Sequence, residues 1–122
     1  MSTRETVKQR RDRERSEREE AEARWEAQRP MRLMHAMARA RGHGAEAHVY
    51  HRHDSILHYF FDLPEEGSLT DPVDELGEHL MRVIEARLDH MDQQRWRAIR
   101  MSALRQDVLR RLTAEEIEAL GL

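Results

Sequence analysis

The large apolar residues are spread unevenly along the chain. Counting Val, Ile, Leu, Met, Phe, Trp and Tyr, residues 1–29 hold only Met1, Val7 and Trp25, whereas residues 30–122 hold 31. The opening stretch therefore cannot bury a core of its own. It is free of Gly and Pro until Pro30 and rich in Arg, Glu, Ala and Gln, all good helix formers. Oppositely charged pairs recur at i,i+4, as in Glu14–Arg18 and Glu20–Arg24. The pattern predicts a charged, solvent-exposed helical arm over 1–29 and a helical body over 30–122.

Within the body, "PMRLMHAMARARG" (30–42) predicts a short amphipathic helix, with Pro30, Met34, Met37 and Arg41 on one stripe and Gly42 as its cap. "GHGAEAHVYHRH" (42–53) alternates for several residues, so a short extended segment is expected near 45–53. Asp54 suits the cap of a helix through "SILHYFF" that stops before Pro64. Asp71 and Pro72 then resemble an N-cap and first helical position. Val73, Leu76, Leu80, Ile84, Leu88 and Met91 follow at 3-4-4-4-3 spacing, a helical period. The spacing slips at "DHMDQQ", which predicts a second helix from near Asp92, with a single bent helix as the alternative. Trp96, at helical spacing with Ile99, Ala103, Leu104 and Val108, is expected in the core. "LTAEEIEALGL" reads as a capping box (Thr113, Glu116), a Leu112–Ile117 staple and a Gly121 stop. The expected fold class is all-α: a small helical bundle with a long charged N-terminal helix.

Composition narrows the chemistry. A chain of 122 residues supports one small domain with an appendage. It has no cysteine, which excludes disulfides, Cys-ligated zinc and thiol nucleophiles. No apolar run approaches the roughly 20 residues of a membrane span, and the start lacks the apolar segment of a secretion signal. A cytoplasmic protein is the expectation. Twenty of the 21 basic residues are arginine, Lys8 being the exception, and the net charge is only -3.

Three constellations could carry function. "HVYHRHDSILHY" places His51, His53, His58 and Asp54 close in sequence, a nitrogen and oxygen set that suits zinc or nickel. "HRH" preceded by "GHGAEAHVY" resembles the metal strand of a cupin, but the downstream glutamate of that family is absent. Second, Arg10, Arg11, Arg13 and Arg15 cluster in the arm. "RDRERSEREEAEARWEAQRP" resembles the arginine-rich RNA-binding helix of lambdoid phage antitermination proteins over about twenty residues. It departs from that helix in Glu17, Glu19, Glu20 and Glu22. With nine bases against eight acids over 1–29, it would release few counterions on a nucleic acid. Third, Trp25 is the sole large aromatic of the arm and is expected to dock, on its own domain or on a partner.

Catalytic templates are missing: the chain has no glycine-rich phosphate loop, nucleophile elbow or HExxH. The leading expectation is a non-enzymatic protein–protein interaction factor, an adaptor, regulator or inhibitor of the kind found among bacterial or phage accessory proteins. Trp25, Arg10, Arg11, Arg13 and Arg15 would meet the partner, and a homodimer is a further expectation. A histidine-based metal binder and an arginine-helix nucleic-acid binder are the alternatives.

Overall fold

Thr6 opens the first helix. Its hydroxyl accepts the Gln9 N–H at 3.1 Å, and the Gln9 side chain accepts the Thr6 N–H at 2.9 Å, a reciprocal cap that satisfies two otherwise orphaned donors. In the computed structural model, which describes residues 4–122, the resulting helix α1 (Val7–Gly42) runs without a break through Pro30. The proline removes one N–H from the ladder and leaves the Glu26 carbonyl without its usual donor. Glu26 and Pro30 both face solvent, so water can fill that role. Trp25, Leu33, Ala36, Met37 and Ala40 form the buried stripe, while Met34, expected on it, is exposed. The left-handed residue that ends the helix is Gly44, at φ +80°, two positions beyond Gly42, its last helical residue. There the Gly44 N–H meets Arg41 O at 2.9 Å and the Ala45 N–H meets Ala40 O at 3.0 Å, the paired bonds of a Schellman stop.

Three antiparallel strands follow in the order β1 (Ala47–His51), β2 (Leu57–Leu63), β3 (Gly67–Pro72). The fold is therefore α+β, and the all-α expectation is corrected. The extended segment near 45–53 is present as β1. The helix expected through "SILHYFF" is instead β2. Its Leu57, Tyr59, Phe61 and Leu63 pair with β1 and β3 in one period-two row, and aromatic residues fit a pleated, half-buried surface better than a helix. Asp71 and Pro72 end β3 instead of opening a helix. A single 3-10 turn, Val73–Glu75, follows, and α2 (Glu78–Arg111) starts beyond it.

The chain divides into two compact units, one through Glu85 and one from Ala86 to Leu122. In the first, α1 lies against β1 and β2. Tyr59, Phe61 and Leu63 supply bulk where Ala36, Ala40 and Ala47 supply none, and Leu76, Met81 and Ile84 complete the core. In the second unit, α2 continues to Arg111 with no break at "DHMDQQ", so one helix stands where two were expected. Then α3 (Ala114–Ala119) opens on the predicted capping box, Thr113 with Glu116. It closes at Gly121, where the Gly121 N–H meets Glu118 O at 3.1 Å and the Leu122 N–H meets Ile117 O at 3.2 Å.

Candidate functional site

The sheet separates the histidines by strand parity. Residues 47, 49, 51, 57, 59, 61 and 63 share the face that holds the buried row, and 48, 50, 58 and 60 share the other. On that second face His48 stacks on Phe60 (centroids 5.2 Å apart, 27°) and Tyr50 stacks on His58 (5.4 Å, 30°). The Tyr50 hydroxyl bonds Thr70 Oγ1 across the sheet at 2.7 Å. His58 is buried, and its Nδ1 lies 3.0 Å from the Ile56 carbonyl.

The four sequence-predicted ligands are thus not brought together. His51 and His58 lie on opposite faces, and His53 and Asp54 lie in the β1–β2 turn. Asp54 Oδ1 accepts the Ile56 N–H at 3.0 Å and supports Ser55 in its φ +62° conformation. Among the described residues, no group of three or more His, Cys, Asp or Glu side chains is arranged to hold a metal ion.

Trp25 docks on its own unit. Its Nε1–H donates to Leu76 O at 2.9 Å, which places the 3-10 turn against α1. The guanidinium carbons of Arg29 and Arg32 lie 5.7 and 5.2 Å from the ring centroid, within cation–π range. Arg29 reaches Asp74 at 3.6 Å, and Arg32 makes a two-pronged contact with Glu85 at 2.5 and 3.3 Å. That carboxylate, first by its hydrogen bond, raises the Arg32 pKa and keeps the cation fixed over the ring. Nearby, burial raises the Tyr59 phenol to about 12, assisted by the charge of Asp71 and by the 3.4 Å hydrogen bond that Tyr59 donates to it.

Arg10, Arg11, Arg13 and Arg15 are all exposed on the opening turns of α1, and Arg13 is engaged by Glu5 (3.2 Å) and Glu17 (3.8 Å).

Trp96 reverses the expectation made for it. It is 68% exposed, against 8% for Trp25. Ile99, Met101, Leu104 and Val108 on the same stretch of α2 are exposed as well. Ala98, Ile99, Ser102, Ala103 and Gln106 line a shallow depression of about 440 Å³ along one side of it. Helical spacing marks a stripe as apolar but carries no information on whether a second element lies across from it. For that reason the sequence placed Trp96 in the core.

No family model, curated protein or solved structure matches this chain. No helix among the described residues is long and apolar enough to cross a membrane.

Proposed function

We propose that the protein is a non-enzymatic interaction factor whose contact surface is the second half of α2, from Trp96 to Val108. The supporting observation is the exposure of Trp96 amid Ile99, Met101, Leu104 and Val108. Large apolar side chains exposed along one helical segment mark docking surfaces, and tryptophan is among the residues most often found as an energetic anchor. Charge selects the kind of partner. Residues 92–111 contain six arginines (95, 97, 100, 105, 110 and 111) against Asp92 and Asp107. A second copy of the same stretch would meet like charge. An acidic helix with an apolar face would bury the tryptophan and neutralise the arginines at the rim, which steers encounter and excludes basic competitors.

The test uses the full chain with a photo-reactive residue replacing Ile99, irradiated in its native cell, followed by titration of the recovered partner segment as a peptide. The expected result is an acidic amphipathic segment whose binding weakens at least tenfold on Trp96→Ala, as truncation of a tryptophan anchor costs about 2 kcal/mol or more. A recovered segment that is basic, or that binds the Trp96→Ala chain equally well, would refute the reading.

A further inference from the structure

The two edges of the sheet are built differently, and the difference points to a partner. In an antiparallel pair, residues alternate between those that exchange both backbone hydrogen bonds with the neighbour and those whose N–H and C=O face away. Two bonds fix the phase here: Asp62 N–H to Glu46 O at 2.9 Å and Arg52 N–H to Ile56 O at 3.2 Å. Residues 46, 48, 50 and 52 therefore bond to β2, and Ala47, Val49 and His51 turn their backbone groups outward. By the same alternation, β3 turns Ser68, Thr70 and Pro72 outward.

The β3 edge carries the usual protections against pairing. Pro72 has no N–H to offer, and Asp71 adds charge. The β1 edge carries only one, the Arg41 guanidinium on the Ala47 carbonyl. "AHVYH" has no proline, glycine or formal charge, and Val49, at its centre, is half-exposed.

What fits that edge is the edge itself. An antiparallel pairing of β1 with β1 of a second copy, centred on Val49, sets residues opposite one another whose numbers sum to 98. Val49 meets its own counterpart, Ala47 meets His51, His48 meets Tyr50, and Glu46 meets Arg52. All four of these pairings are favourable at once. Val49 and the Ala47–His51 pairs are the hydrogen-bonding positions. The His48–Tyr50 pairs extend across the dyad the imidazole–aromatic stacking already present in His48–Phe60 and Tyr50–His58. Glu46 and Arg52 form two opposite-charge pairs, one at each end, on the same face as the stacked rings. Arg41 Nη1 already donates to Ala47 O at 3.2 Å, and the second lone pair of that carbonyl remains for the strand. A slip of one residue in either direction would place Val49 opposite a residue of the other pleat and lose both charge pairs.

We infer that the protein forms a two-fold symmetric dimer through β1, joining two three-stranded sheets into one continuous sheet. This inference is independent of the α2 reading and uses none of its residues.

The decisive experiment is sedimentation of the untagged full chain over a wide concentration range, alongside four variants. The wild type is expected to show a reversible monomer–dimer equilibrium. Val49→Pro removes an outward N–H and no bond to β2, so it should be monomeric with far-ultraviolet circular dichroism close to that of the wild type. Glu46→Arg and Arg52→Glu should each raise the dissociation constant about tenfold, since each converts two attractive pairs into two repulsive ones. The double variant Glu46→Arg/Arg52→Glu should recover to within about threefold of the wild type. A wild type that stays monomeric, a dimer that survives Val49→Pro, or a double variant no better than the singles would each overturn the inference. Should Val49→Pro fail to fold, the exchange of the two exposed charges decides alone.

Discussion

Trp25 and Trp96 have exchanged the environments that their neighbours suggest. Trp25 lies in the most charged stretch of the chain and is sealed between α1 and the turn at Leu76. Trp96 is followed at helical spacing by Ile99 and Ala103, the pattern of a core stripe, and stands in water. What separates them is the element opposite. The 3-10 turn presents a carbonyl at the height of the indole N–H, and Arg29 and Arg32 fold over the ring because Asp74 and Glu85 hold them there. Trp96 is exposed beside a depression lined by small and half-polar residues. Local hydrophobicity measures the tendency to be covered, and topology decides whether a cover is supplied.

The strongest test of this contrast is truncation at each site. Trp25→Ala should destabilise the first unit by about 3–5 kcal/mol, the range for removing a large buried aromatic. Trp96→Ala should change stability by no more than about 0.5 kcal/mol, as expected of a surface position. Denaturant unfolding of both variants measures this directly, and equal losses would erase the distinction.

A smaller effect should appear in alkali. The Tyr59 phenol is held at about 12 against an ordinary 10, so the unfolded chain loses that proton first. Its contribution is complete below pH 10 and is lost as pH rises toward 12, roughly 2–3 kcal/mol in all. Tyr59→Phe should flatten the stability profile across that interval. An unaltered slope would mean that another group governs it.

Next in size is the clasp over Trp25. Glu85→Gln keeps the shape of the contact but removes its charge, and should cost about 1 kcal/mol, appropriate to a partly exposed pair with two-pronged geometry. The smallest effect belongs to the second unit. Glu116 is held below its ordinary 4.5 by the hydrogen bonds it accepts from Thr113. Its share in the cap is present above pH 4.5 and disappears as pH falls through the depressed value. Faster amide exchange in residues 114–119, and only there, is the expected sign in acid, and Thr113→Ala should reproduce it at neutral pH.

How far the fold could be read in advance depended on whether the signal was local. The Thr113–Glu116 box and the Gly121 stop were legible because caps act within one turn. The same logic applied to Thr6 and Gln9 but was missed, since Gln is the quieter partner in that motif. The alternation in 42–53 pointed to an extended segment but left strand and connector open, and pairing with β2 makes 47–51 a strand. In contrast, "ILHYFF" is apolar at consecutive positions, so no period distinguishes strand from helix, and only its pairing with both neighbours makes it β2. Asp71–Pro72 misled for a related reason: the dipeptide that can open a helix equally well ends an edge strand. The histidine cluster was legible as a composition but not as a site. A pleat sends neighbours to opposite faces, and the turn at 52–56 takes His53 and Asp54 away from both.

Pro30 has a consequence for how α1 comes apart. Helical turns before Trp25 touch solvent on every side, so unwinding that begins at Thr6 meets no tertiary resistance until it reaches the indole. The missing rung at Glu26–Pro30 lies just past that point, on the wet side of the rod. Trp25 therefore works as a stopper placed immediately ahead of the weakest joint, and the leading turns can melt and re-form while the core behind them stays shut.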